Sequence, residues 1–306
     1  MSNQVELRTR ITAQIVEALR EACPPWRKPW ADCRPARPAN FLTRRRYSGI
    51  NVMLLDFMAL ERGFTTNWWG TYRQWQSAGC QVQQRPAGVR AGEWGTRVVF
   101  CRPIRKVERA EDGTEKEKNY FVLREHTVFN LDQVSGPNVE RHRREAQVRP
   151  EFPDFGPADR AIEATQADIR YHGDRAFYSR SGDFIQMPPR ASFTDIHEWY
   201  ATHFHELSHW SESRVGWTGS YALGELIAEI ASCYMATELG VPQSENLTNH
   251  HAYLASWLRE LEGDTGAIFK AAKTASAVTD FILSFSRPEF VEASEEAADG
   301  TEPAGE

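Results

Sequence analysis

Two histidines and a glutamate, in the run His205-Glu206-Leu207-Ser208-His209, are the residues of this chain best suited to chemistry. A helix turns about 100° per residue, so positions four apart stand one above the other and both imidazoles can grip one divalent metal ion. Glu206 lies beside that face. Its carboxylate can take a proton from water activated by the metal, which is the division of labour in zinc peptidases. Glu225 and Glu229 lie downstream, four apart, so their carboxylates project from one helix face as a third metal ligand and its supporting partner would.

The elements needed to position these groups are legible around them. Thr194 or Asp195 can cap a helix whose apolar residues Ile196, Trp199, Tyr200, Phe204 and Leu207 recur at three- and four-residue steps. Residues 221–239 read as a second helix, with Leu223, Ile227, Ile230 and Tyr234 as its apolar stripe and Gly240 as its stop. Upstream, residues 176–179 and 183–187 flank Arg180-Ser181-Gly182, a hairpin signal, and a strand there is a candidate edge for a peptide substrate. Residues 159–168, 249–262 and 265–285 read as further helices.

Charge divides the chain. Residues 1–130 carry a net charge of +9, residues 131–287 of −8 and residues 288–306 of −7, within a total of −6. A basic N-terminal part suits a polyanion. Two motifs there carry the expectation. Trp26, Arg27, Lys28 and Trp30 set indole faces beside cations in a proline-held segment, which suits stacking on unpaired bases. Arg44, Arg45, Arg46 and Tyr47 form a basic turn before a helix, suited to phosphate contact. Trp68, Trp69, Tyr72 and Trp75 are spaced so that most must face a core. Residues 96–102, 120–123 and 128–131 read as three strands.

Composition fits a soluble globular protein, with 41% hydrophobic and 25% charged residues. No apolar run approaches a membrane span, the N-terminus lacks a signal-peptide pattern, and no membrane partner is expected, so a cytoplasmic location follows. The five cysteines form no Cys-x-x-Cys pair and read as reduced thiols. A chain of 306 residues suits two domains of α+β class. The expected division is 1–132 for a DNA-binding domain, 133–157 for a proline- and charge-rich linker, 158–287 for the metal-binding domain and 288–306 for a disordered acidic tail.

The order of motifs makes a resemblance specific. Pro25-Trp26-Arg27-Lys28-Pro29-Trp30, then Tyr47-Ser48-Gly49-Ile50-Asn51, then residues 69–74, then Gly92-Glu93 before Val98-Val99-Phe100, resemble the N-terminal domain of ArdC-type antirestriction proteins. That domain is shared with conjugative TraC primases. The His-Glu-x-x-His and Glu-x-x-x-Glu helices resemble the family's zincin-like metallopeptidase domain. The resemblance implies binding of single-stranded DNA by the first domain and a zinc peptidase in the second. In it His205 and His209 are ligands, Glu206 is the catalytic base, and the substrate is an unidentified protein such as a host restriction factor. The implied role is protection of plasmid DNA entering a new host by conjugation. The alternative is a non-enzymatic shield of single-stranded DNA with a structural metal. For the third ligand, the 20-residue step from His209 resembles a thermolysin-like separation, and small residues flank Glu229, which favours Glu229. A gluzincin-like order, with an acid four residues after the ligand, would instead make Glu225 the ligand.

Overall fold

The structure, a computed structural model, describes residues 2–20, 37–109, 115–136, 139, 155–193, 195–242 and 248–287; for 2–4, 101–109, 115–121 and 248–253 it describes the backbone alone. The N-terminal sheet has the order β1 (Ala39–Asn40), β2 (Trp68–Thr71), β5 (Glu115–Asn130), β4 (Thr96–Arg109). The β1–β2 pair is parallel and the others antiparallel. The strands expected at 120–123 and 128–131 are one, because β4 offers an unbroken partner from Thr96 opposite Val128 to Arg109 opposite Glu115. A small pair, β3 (Gln81–Val82) and β6 (Val134–Ser135), takes up the start of the expected linker. Most of that linker, and the acidic tail, lie outside the described residues.

Helix α2 (Ile50–Glu61) is tied to β4 by one buried side chain. The Asn51 carboxamide accepts from Val99 N–H at 2.7 Å and donates to Val99 C=O at 2.8 Å, so it mimics a strand neighbour. The short α3 (Tyr72–Ser77) starts at a capping box of Thr71 and Gln74. Trp69 and Trp75 are buried, with Phe41 stacked on Trp75 at 4.2 Å between ring centroids, whereas Tyr72 is exposed.

The C-terminal part begins with α4 (Gly156–Ala164), shorter than the helix expected over 159–168 because Asp168 already starts a strand. The strands β7 (Asp168–Tyr171), β9 (Phe184–Met187) and β8 (Phe177–Ser179) follow in that spatial order, β8 forming an edge. Four helices complete it: α5 (Ile196–Glu212), α6 (Tyr221–Leu239), α7 (Thr248–Gly263) and α8 (Ala267–Ser284). Helix α6 is central. Its many alanines and aliphatic residues let it bury nearly every position against α5 and α8, and Gly240, at φ 72°, ends it in the left-handed conformation.

Helix α1 (Ser2–Arg20) meets the N-terminal sheet through an ion pair of Arg10 with Glu125 of β5, while its apolar face turns to the C-terminal part. Its stripe of Leu7, Ile11, Ile15 and Leu19 joins the core that holds Trp257 and Leu261, and Thr12 Oγ1 donates to Thr265 C=O at 2.9 Å. Ile50, Val52 and Met53 of α2 enter the same core. The two parts therefore share apolar packing.

They also share a buried ion cluster. Glu238, near the end of α6, is fully enclosed and accepts from Arg37 Nε at 2.9 Å and from Arg46 Nε at 3.2 Å, while Arg37 also pairs with Asp280 of α8. Burial alone would raise the Glu238 carboxyl pKa. The charges of Arg37 and Arg46, with hydrogen bonds from Arg37, outweigh it and hold the group below its ordinary value. A depressed carboxylate stabilises the fold fully above its unfolded pKa and loses that contribution as pH falls through the folded value. We expect Glu238→Gln to cost about 3 kcal/mol, the low end for breaking a buried pair, since Arg37 loses one of two counter-charges and keeps Asp280. In denaturant titrations at several pH values the variant should lose the part of the acid destabilisation below about pH 4.5 that belongs to Glu238.

Candidate metal centre

Helix α5 forms as its sequence dictates. The Asp195 side chain caps it by accepting from His197 N–H at 2.9 Å, and Trp199, Tyr200, Phe204 and Leu207 seat its apolar face in the core. This orientation turns His205 and His209 together, with their Nε2 atoms 3.1 Å apart. Another histidine of this helix, His203, points elsewhere. It is buried beneath Trp199, meets the Tyr171 hydroxyl at 3.2 Å, and burial pushes its pKa down to about 3.

The carboxylate that meets the two imidazoles belongs to Glu225, not to the Glu229 that the 20-residue spacing favours. Glu225 Oε2 lies 3.4 Å from His205 Nε2 and its Oε1 lies 3.5 Å from His209 Nε2. One donor atom from each of the three side chains falls within 4.8 Å of the others. The cause is the level at which two packed helices meet. Residues 213–220 join α5 to α6, and Glu225 stands four residues into α6, near the height of the histidine pair. Glu229 is one turn further on, about 6 Å along the axis. It is buried there, with the Cys233 thiol 3.9 Å from its Oε1.

A residue the sequence reading passed over completes the arrangement. Glu212, three residues after His209 and hence on the same helix face, places Oε1 2.9 Å from His209 Nδ1. Its Oε2 accepts from Arg180 at 3.0 Å. That spacing was the available signal, since a metal-binding imidazole commonly gives its other N–H to a carboxylate. Gly224 makes room for it: a Cβ there would stand 3.1 Å from Glu212 Oε1.

The electrostatics fit a cation. Burial opposes protonation of His209, yet hydrogen bonds and charge from Glu212 and Glu225 lift its pKa to about 10. Burial would likewise raise Glu225, but the two histidines hold it well below the usual carboxylate range. Two imidazole nitrogens, a carboxylate and an orienting partner are a donor set for Zn2+ that also admits other divalent metals. Glu206 sits beside them, 8% exposed. Burial, chiefly, pushes its carboxyl pKa up, opposed by His205, His209 and a backbone N–H from Tyr178 of β8.

The expected DNA contacts divide. Trp26, Arg27, Lys28 and Trp30 lie outside the described residues. Arg44 and Arg45 are exposed on the turn after β1, and the Arg44 guanidinium rests 4.6 Å from the Trp68 ring centroid. Two assignments are corrected. Tyr47 is buried, 6% exposed, and hydrogen-bonded to the Asn40 side chain. Arg46 is drawn inward by Glu238, 3.0 Å from its Oε1. A run of basic residues in sequence says nothing about which of them a buried acid will claim.

Zinc titration of purified variants checks this geometry. Glu225→Ala should cost most of the metal affinity, Glu212→Gln about 10- to 100-fold, and Glu229→Ala less than either. A larger loss at Glu229 than at Glu225 would return the ligand role to Glu229.

Comparison with known proteins places the whole arrangement. Residues 5–129 match the N-terminal domain of anti-restriction factor ArdC, and residues 157–274 match a zincin-like metallopeptidase family. The crystal structure of the antirestriction ArdC protein from plasmid R388, in metal-free form, superposes with a TM-score of 0.71 at 35% identity, covering 91% of this chain and 97% of that one. Its Mn(II)-bound structure gives a TM-score of 0.66 at 33% identity over the same shares. The protein y4eC of Sinorhizobium fredii is 33% identical over 289 residues, covering 89% of this chain and 90% of that one. The DNA primase TraC of Escherichia coli is 32% identical over 92% of this chain, which spans 27% of the primase. With both domains matched in order and a relative aligned over nearly its whole length, the chain belongs to the ArdC family of antirestriction proteins, an N-terminal ArdC domain followed by a zincin-like domain.

Proposed function

We propose that this chain protects single-stranded plasmid DNA entering a new host, by joining a single-strand DNA-binding domain to a zinc-dependent peptidase site that acts in the cytoplasm on a host protein such as a restriction factor. The observation that carries the peptidase reading is the convergence of His205, His209 and Glu225 with a buried Glu206 carboxylate alongside. A bound divalent ion supplies Lewis acidity to water and to a peptide carbonyl.

The protein groups have separate tasks around it. His205, His209 and Glu225 would hold the ion, and Glu212 fixes the His209 ring so that its Nε2 faces the site. Glu206 takes the proton from the attacking water and returns it to the leaving amine. Its raised pKa brings it nearer the operating pH of a general base. The Tyr178 N–H steadies its carboxylate from the edge strand β8. That edge is where an extended peptide would pair.

The DNA-binding reading is supported by a different surface. Arg44 is exposed and stacks over Trp68, which sets a cation and an aromatic face together, and Arg45 is exposed beside it in the chain. Among the described residues no helix is long and apolar enough to cross a membrane.

Glu206→Gln separates the peptidase from a shield with a structural metal. The variant should keep zinc and single-strand DNA binding and lose cleavage of host proteins. Loss of antirestriction in conjugation assays supports the enzymatic reading; full antirestriction in this variant sinks it in favour of the shield. For the DNA surface, Arg44→Ala with Arg45→Ala in the full chain should weaken single-strand binding several-fold and reduce the salt slope by about 1.4, two phosphate contacts' worth. Arg46→Ala should leave that slope unchanged, as anisotropy at several salt concentrations will show.

A further inference from the structure

The turn between β8 and β9 is fastened more firmly than an exposed hairpin tip needs. Asp183 adopts φ 50° there, and its carboxylate receives the Tyr178 hydroxyl at 2.9 Å and the Arg214 guanidinium at 2.7 and 2.9 Å. Arg214 follows the end of α5 and lies 4.0 Å over the Trp210 ring. The tip is therefore held against the helix that carries the two histidines.

Arg180 occupies this fastened tip. Its NH2 group donates to Glu212 Oε2, yet its side chain is 77% exposed while that of Glu212 is 3% exposed. A guanidinium offers five N–H donors in a rigid fork, and Glu212 engages one of its nitrogens. The remaining donors face solvent at the rim of the metal centre. Following the contacts through Glu212 and His209, Arg180 stands within about 12 Å of the metal position, with a metal–imidazole bond of about 2.0–2.1 Å as the last step. An extended peptide residue spans about 3.3–3.6 Å. An anionic group within about three residues of the scissile bond therefore reaches the fork.

Charge gives this cation a task. Glu206, Glu212 and Glu225 are three buried carboxylates around one site, one more than a divalent ion balances, and the residual negative charge disfavours an acidic peptide. A fixed guanidinium at the rim reverses that locally and matches a carboxylate in two-pronged geometry. Arg180 itself is mostly in water, where its charge is screened, so holding it in place brings the fold little stability. Building on the peptidase reading above, we propose that Arg180 is a specificity-determining residue that binds a carboxylate of the peptide substrate, an acidic side chain or the C-terminal carboxylate, within about three residues of the scissile bond.

Calorimetry on the zinc-loaded full chain tests this without turnover. The probes are peptide hydroxamates that differ only in Glu for Gln, and a second pair that differ only in a free or amidated C-terminus. The member bearing the favoured carboxylate should bind about ten- to hundredfold more tightly than its neutral twin, as expected for a charge-assisted contact. Which pair shows the difference names the source of the carboxylate. In Arg180→Gln, with zinc content measured, the ratio should collapse toward one, and Arg180→Lys should retain part of it. Equal binding of charged and neutral probes to the wild type overturns the role of Arg180 while leaving the peptidase site standing. Failure of every hydroxamate to bind the zinc-loaded wild type overturns the peptidase reading and this one with it. Binding of single-stranded oligonucleotide that depends on Arg180, with no preference among the peptides, assigns the fork to phosphate and overturns the proposal.

Discussion

A helix enclosed on nearly every side can carry a carboxylate only where a compensating group meets it, and α6 carries three such carboxylates. Glu225 meets two imidazoles, Glu229 has the Cys233 thiol, and Glu238 meets two arginines from the N-terminal part. Each encounter fixes a neighbour. At one end α6 sets the position of α5 and its histidines; at the other it draws in the segment that leads through Arg37 to the Arg44–Arg45 turn. The candidate metal site and the basic turn are thus referenced to one rigid element.

What was legible beforehand follows from how far each signal reaches along the chain. The two histidines and Glu206 lie within five residues, and helical periodicity alone brings them to one face. The hairpin at 176–187 and the edge strand were legible for the same reason, since a turn signal and its strands are contiguous. The carboxylate that meets the two histidines was not. Choosing between Glu225 and Glu229 requires the relative height of α5 and α6, which the connecting residues and side-chain packing decide and which no spacing rule encodes. Glu212 could have been found, because its signal is a local step of three.

The basic turn teaches a complementary lesson. Arg44, Arg45 and Arg46 are equivalent in composition, yet one of them is claimed by a glutamate nearly 200 residues away, and Tyr47 beside them is core. Likewise the strands 120–123 and 128–131 merge, because pairing partners rather than intrinsic preference determine where a strand stops. Family resemblance supplied the domain order. It did not supply the interlocking of the domains, in which a helix from the start of the chain serves the core of its far end.

That interlocking has a kinetic side. The contact between Thr12 and Thr265 spans 253 positions, so the apolar stripe of α1 leaves the ribosome long before α7 exists to cover it. The loop-closure entropy grows only slowly with such a span, so the finished contact costs little more than a shorter one would. The delay is what matters. During synthesis Leu7, Ile11 and Ile15 lack their partners on α7 until the last helices are made, so the docking of α1 can be completed only as a late step that closes the chain upon itself.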